Sequence, residues 1–370
     1  MALTRRGLGL GLLATGIGGT AGVALLGPER IERAVTGAGP DPSTLWGFIG
    51  GEKVDFVRNP KVRALLSRRY GLALDARRAG SIEMVGDPAL TRQQPPWLWP
   101  AHSVMTQMAR SNGLPVRRDE VVFTSPLVLY SWTPVVAALE TAGFVERQGG
   151  IHTVRMAPLM EAIERGLAWR DLGVPELYGR AVVTTTDPTR SNSGFSFAAL
   201  LANLFAGEVA SPESLARDGA RLRSVFARMG YKEASSGTHW NSYLTEGMGG
   251  KPLIAAYESQ LVEFILANPA RWASLQSAAV RPVMLYPTPT VTSVHPIISL
   301  TAQADRLVEA LTDPELQDLA WSEHGFRGRL GAVGRGGPAF EGLSPSPAPL
   351  MPMPDAPTML TVVDRLRTPT

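Results

Sequence analysis

Between about residue 43 and residue 326 the chain alternates short apolar or β-branched runs with longer stretches of helical period. Residues 45–49 (LWGFI) form a short apolar run ending in Gly50-Gly51, and residues 54–57 extend it or enter the next helix. Asn59 followed by Pro60 predicts a capped helix, PKVRALLSRRY, closed by Gly71. Residues 72–77 read as a strand running into Gly80-Ser81, and residues 101–111 as a helix. Residues 120–124 read as a strand ending at Ser125-Pro126, followed by helices over 133–142 and 157–169. The β-branched run 181–185 predicts a strand, with a helix over 193–205 after it. Ser211 before Pro212 opens a helix reaching Met229, residues 253–267 read as helical, 283–286 as a strand, and 302–324 as closing helices. Strands that alternate with helices predict an α/β fold with a mostly parallel sheet covered on both faces.

In such sheets small ligands bind beyond the carboxyl ends of the strands, where loops lead into helices. Four of the predicted strand ends carry glycine or small hydroxyl residues: Gly50-Gly51-Glu52, Gly80-Ser81, Thr124-Ser125-Pro126, and the stretch Thr186 to Gly194. The first amides of a helix have no intrahelical acceptor and lie at the positive end of its dipole. Several converging on one cleft make a site for an oxyanion or another acceptor-rich ligand. Any single Ser-Gly at a strand end is otherwise a turn and a cap. Ser191-Asn192-Ser193-Gly194 is more than a cap requires, and Gly194 weakens the helix unless something approaches its backbone closely.

Composition narrows the classes. A length of 370 residues allows two lobes with separate cores, and 44% hydrophobic with 19% charged residues describes a globular chain. The net charge of +3 is mild. The run Arg58, Lys61, Arg63, Arg68 and Arg69 reads as the solvated face of a helix, not a nucleic-acid surface. The absence of cysteine excludes disulfides, thiolate chemistry and acylated lipoprotein anchors. The five histidines, His102, His152, His239, His295 and His324, are scattered without H-E-x-x-H or an i, i+4 pair, so neither a metal nor another cofactor is expected. Ser236 and His239 lie close in sequence but without a G-x-S-x-G elbow, which makes an exported hydrolase a weaker alternative. No phosphate loop of the G-x-x-x-x-G-K-[ST] type is present.

The ends differ from the body. Arg5-Arg6 precedes an uncharged Gly- and Leu-rich run from Gly7 to Gly27. A basic segment before an apolar one is an export signal of the twin-arginine kind, and about 20 residues also suffice for a retained anchor. Residues 1–27 are therefore expected to be a signal or anchor helix and 28–43 a linker. Residues 328–370 are dense in Pro and Gly and read as a linker or extended tail, with a short apolar patch at 359–366 that docks back or forms a brief helix.

Ordered blocks carry a family resemblance: LWGFIGGEKVDFVRNPKVRALLSRRYGL, RAGSIEM, VVFTSPLVLYSW, VVTTTDPTRSNSG, YESQLVEF, LYPTPTVTSVHPII and LVEALTDPELQDLAWSEHGFR. Together they resemble the bacterial extracellular solute-binding proteins of the two-lobed periplasmic type II fold, in the branch nearest the molybdate-binding proteins. The resemblance implies two α/β lobes, about 44–125 plus 289–327 and 126–288, joined by two crossing segments. It implies ligand contacts at Gly51, Ser81, Ser125, Thr186, Ser191, Asn192 and Ser193, with Tyr257 and Glu258 facing the cleft. It further implies no catalysis, a small polar ligand, a periplasmic location and an ABC-type permease partner. An anchored sensor or docking protein of the same fold is the alternative. Asp187 and Glu258 would bring negative charge toward an anion unless Arg190 offsets one. Trp97 and Trp99 either floor the cleft or pack in the core.

Overall fold

The computed structural model describes residues 42–331, 340–345 and 349–367, so the expected signal or anchor over 1–27 lies outside the described residues. The strands are β1 (Ser43–Ile49), β2 (Leu72–Arg78), β3 (Trp97–Trp99), β4 (Arg118–Trp132), β5 (Val145–Gln148), β6 (Ile151–Arg155), β7 (Leu253–Tyr257), β8 (Pro282–Thr288), β9 (Thr292–Ser299) and β10 (Arg327–Gly328). β4 belongs to two half-sheets. Its residues 118–126 pair with β9, while 127–132 pair with β7 on one side and β8 on the other. The chain leaves one lobe along β4 and returns from β8 into β9. The first lobe has the order β2-β1-β3-β9-β4, and the second β4-β8-β6-β5.

This is the two-lobed α/β architecture with two crossing segments, but the sheet is not mostly parallel. Only β1–β2, β1–β3 and β6–β8 run parallel, while every pairing that involves β4 or β9 is antiparallel. The physical reason is connectivity. A chain that crosses between lobes and comes back must lay its two crossing strands in opposite directions, and these occupy the centre of the molecule.

Other expectations need correction for similar reasons. Residues 253–257 (LIAAY) are a strand, and the helix begins only at Glu258. Five consecutive buried apolar residues carry no period that separates a helix from a two-faced central strand. The run 181–185 does not form a full strand. Only Thr184 bridges Ile254, donating its N–H to Leu253 O (3.0 Å) and accepting from Ala255 N (2.8 Å). Trp97 and Trp99 are core residues of β3, fully buried, with Trp99 packed on Phe56 and Phe123. The helices Ser236–Gly250 and Pro269–Ser277 have no counterpart in the sequence reading.

The C-terminal segment is part of the fold. Thr290 between β8 and β9 donates to Pro349 O (3.1 Å) and accepts from Met351 N (2.7 Å). Asn203 of the helix Asn192–Ala206 donates to Pro352 O (2.9 Å), and Gln107 of the helix Val104–Ser111 accepts from Ala356 N (3.3 Å). The helix Ala356–Arg367 then buries Met359, Val362 and Val363 in the core that also holds Met105, Met108 and Leu222. Their i, i+3, i+4 spacing makes one apolar stripe, worth about 1.5–3 kcal/mol for each fully buried side chain. The stripe is the apolar patch read at 359–366, and most of the segment's prolines lie before it.

Candidate functional site

A cavity of about 210 Å³ lies where loops of the two lobes face each other. The first lobe contributes Gly50, Gly51 and Glu52 after β1, then Arg78 to Ser81 and Glu83 after β2. The second contributes Arg190, Ser191 and Asn192, and Ala234 to Gly237. Four helix starts thus reach the cavity: the short turn Gly51–Lys53, and the helices Ser81–Gly86, Asn192–Ala206 and Ser236–Gly250. Their first-turn amides have no intrahelical acceptor. The lobes are in contact here. A Cβ on Gly80 would stand 2.6 Å from Arg190 O, closer than any side chain tolerates.

Of the nine residues expected to contact ligand, Gly51, Ser81, Ser191 and Asn192 line this cavity. Ser81 Oγ accepts from Ala101 N (3.1 Å). Asn192 Nδ2 donates to Tyr257 Oη (2.7 Å) and to Ala101 O (3.1 Å). A carbonyl oxygen only accepts, so the orientation of the Asn192 amide is determined. Tyr257, Thr186 and Ser193 stand behind the wall and hold it. Ser193 Oγ lies 2.7 Å from Thr186 Oγ1 and 2.8 Å from Ser236 Oγ, which joins two of the helix starts.

Ser125 and Glu258 are not among the lining residues. Ser125 Oγ accepts from Ser259 N (3.1 Å) and so serves the start of the helix Glu258–Ala267. The Glu258 carboxylate is fully buried in a two-pronged pair with Arg327 Nε (2.6 Å) and Nη2 (2.7 Å), and it accepts from Tyr286 Oη (2.5 Å). Asp187 turns to Thr189, accepting from its N (2.9 Å) and Oγ1 (2.8 Å). Neither carboxylate reaches the cavity wall.

Gly194 answers the question its sequence posed. A Cβ there would lie 2.2 Å from Thr186 O and 2.8 Å from Pro188 N. The close approach is by the chain's own preceding loop, and Gly194 N donates to Thr186 Oγ1 (2.8 Å).

The charged groups of the wall are unequal. Burial alone would raise the Glu52 carboxyl, but Lys53 and His295 beside it hold it well below the usual range. Glu83 accepts from Gly80 N (3.1 Å) and approaches Arg190 Nε at 3.8 Å, across the lobe boundary. Arg78 is exposed and has no ion-pair partner among the described residues. The wall therefore offers hydroxyls, first-turn amides and the Arg78 guanidinium, together with two carboxylates, Glu52 beside Lys53 and Glu83 beside Arg190. Ser236 and Gly237 were not anticipated as wall residues. The signal was Ser235-Ser236-Gly237-Thr238, which echoes Ser191-Asn192-Ser193-Gly194.

His239 Nδ1 bonds Glu233 Oε2 (2.9 Å), and Lys251 donates to the other oxygen (2.8 Å). Burial opposes that charge, yet His239 and Lys251 bring the Glu233 carboxyl down to about 2. His239 Nε2 has no partner, and no hydrogen bond joins His239 to Ser236, so the nucleophile–base contact a hydrolase needs is not made. Among the described residues no cluster of three His, Asp or Glu side chains is placed to hold a metal ion, and no helix is long and apolar enough to cross a membrane.

No family model and no curated protein matches the chain. Solved structures do. A periplasmic thiamin binding protein is 11% identical, with a TM-score of 0.60 over 88% of this chain and 96% of that one. The substrate binding protein of an ABC transporter from Agrobacterium tumefaciens is 13% identical, with a TM-score of 0.55 over 90% and 96%. The periplasmic binding protein AfuA from Actinobacillus pleuropneumoniae, with fructose-6-phosphate bound, is 13% identical, with a TM-score of 0.54 over 87% and 97%. The fold is that of the two-lobed periplasmic solute-binding proteins.

Proposed function

We propose that the chain is an exported solute-binding protein that captures a small polar ligand bearing an anionic group between its lobes and presents it to an ABC-type permease. The observation that carries this reading is the convergence of four helix starts, from both lobes, on one cavity with Arg78 and Arg190 in its wall. Helix starts and guanidinium groups stabilise negative charge. The two carboxylates expected to oppose an anion, Asp187 and Glu258, are satisfied elsewhere, and the two that do line the cavity, Glu52 and Glu83, face Lys53 and Arg190. The cavity of about 210 Å³ suits a ligand well below drug size. The fold shared with an ABC-transporter substrate binding protein supports the permease partner and the extracytoplasmic location. On this reading the lobes are 44–125 plus 289–327 and 126–288, which the change of β4 partner from β9 to β7 and β8 near residue 126 supports.

A thermal-shift and calorimetric comparison of inorganic phosphate, glycerol phosphate, glucose and choline tests this reading. The anions are expected to raise Tm, and Arg78→Ala to weaken their binding about tenfold, in line with roughly 1.5–3 kcal/mol for a charged hydrogen bond reduced by exposure. Stabilisation by choline or glucose without any by the anions would refute the anionic ligand.

A further inference from the structure

Beneath the cavity a set of fully buried polar groups runs from one lobe to the other along β9. Lys53, whose neighbour Glu52 lines the cavity, has its ammonium 3.2 Å from His295 Nδ1 and 3.4 Å from Pro100 O, and pairs with Glu52. An ammonium only donates. His295 Nδ1 also lies 3.5 Å from Glu52 Oε1, which only accepts; the nearer ammonium favours Nδ1 as an acceptor, with Nε2 then carrying the proton toward Ser293 Oγ at 3.3 Å. Ser293 in turn donates to Ala101 O (2.5 Å) and accepts from Asn192 Nδ2 (3.3 Å). Asn192 ends the chain, in the opposite wall, with its bond to Tyr257. Ser293 and His295 are alternate residues of β9 and share one face of that strand. Lys53, Ser293 and His295 have no solvent exposure at all, and neither Ser293 nor His295 lines the cavity.

We propose that Lys53, His295 and Ser293 act as positioning residues: their polar chain through the return crossing holds Asn192 against Ala101 and so sets the ligand-competent contact between the lobes. An isolated buried lysine is expensive to keep. An apolar side chain of similar volume would fill the space under Trp99 without that cost, but it would not orient His295. The Asn192 amide has two hydrogens for four acceptors, Tyr257 Oη, Ala101 O, Ser293 Oγ and Ser196 Oγ, so Ser293 competes for it and a change along the chain is felt at Asn192. Ligand binding then favours the lobe contact that this chain already prepares, and its removal shifts the population toward separated lobes. The inference rests on the solute-binding reading for its effect on affinity, but not for its effect on lobe separation.

The test compares His295→Leu with His295→Gln in the full chain. Glutamine reproduces one acceptor toward Lys53 and one donor toward Ser293; leucine reproduces neither. The cysteine-free sequence allows spin labels at Asp75→Cys and Tyr178→Cys, exposed positions of the two lobes. His295→Leu is expected to broaden and lengthen the interlobe distance distribution and to weaken phosphate binding at least tenfold. His295→Gln is expected to keep the wild-type distribution and bind within about threefold. Ser293→Ala, a smaller truncation, follows the leucine pattern if His295→Leu does not fold. A native distance distribution in both His295→Leu and Ser293→Ala, or equal losses in leucine and glutamine, would overturn the positioning role. Failure of phosphate to bind the wild type, with the distances still responding, would instead count against the ligand reading alone.

Discussion

Two buried charge clusters flank the crossing segments, and they are built on opposite principles. Arg327 and Glu258 meet through two short hydrogen bonds, and the remaining guanidinium donors go to Ser344 O (2.5 Å), Pro345 O (3.2 Å) and Gly331 O (3.3 Å). Tyr286 completes the carboxylate. Every strong donor is spent, and the pair fastens the C-terminal segment to the second lobe. Lys53 and Glu52 meet once, beside the cavity, and the rest of their bonding passes to a neutral histidine and on to the lobe contact. The difference shows how one fold uses buried charge twice: saturated, as a fastening, and shared, as a connection to a site. A saturated pair resists change in its surroundings. A shared one responds to them.

The comparison is broken most sharply by removing one partner of the saturated pair. Arg327→Met leaves Glu258 buried without compensation and is expected to lower the unfolding free energy by about 3–5 kcal/mol, read from urea denaturation at pH 7. The double variant with Glu258→Leu should recover most of that loss. A single variant within about 1 kcal/mol of wild type would show that the pair fastens nothing.

A smaller effect separates the clusters by pH. Burial, reinforced by Lys53, pushes His295 down to about 4 against the pull of Glu52. Burial, reinforced by His295, brings His102 to about 3. Both folded values lie below the ordinary 6.5, so the unfolded chain binds more protons in this range. Their contribution is complete above pH 6.5 and is lost as pH falls toward 4. Stability should drop by roughly 3 kcal/mol between pH 6.5 and pH 5, about half from each histidine, and His295→Gln should about halve that slope. Denaturation curves with no pH dependence in this window would mean that the histidines are solvated.

The smallest effect on stability, and a large one on binding, is expected from Gly80→Ala. Its new methyl would meet Arg190 O across the lobe boundary. The clash is with backbone and is relieved only if the loops part, so the unfolding free energy should fall by about 1 kcal/mol, while anion affinity falls at least tenfold. Wild-type affinity in this variant would mean that the ligand does not need the lobe contact.

Much of this architecture is legible in the chain. Asn59-Pro60 and Ser211-Pro212 do open helices, with Asn59 accepting from Lys61 N and Ser211 from Ser214 N. The loops at Gly50-Gly51, Gly80-Ser81 and Ser191-Asn192 meet in one cavity, and each is legible because its glycine and small polar residues precede a helix start. LIAAY was illegible, since burial on both faces erases periodicity. The apolar patch 359–366 is legible as a brief helix that docks back, but the backbone contacts of residues 349–356 ahead of it are not, since a proline-rich run carries no pattern for them. Glu258 illustrates a third limit. A carboxylate at a helix start is equally suited to face a ligand or an arginine 69 residues away, and only the fold chooses.

The sequence by itself determined where helices start, which loops are rich in free amides and hydroxyls, and that thiol chemistry is excluded, because these follow from neighbours along the chain. The tertiary structure alone decided that Lys53 meets His295, that Arg327 spends itself on Glu258, and that the crossing strands run antiparallel. Those outcomes depend on which distant groups share a dry interior, where each charge must find a partner, and local order carries no record of that choice.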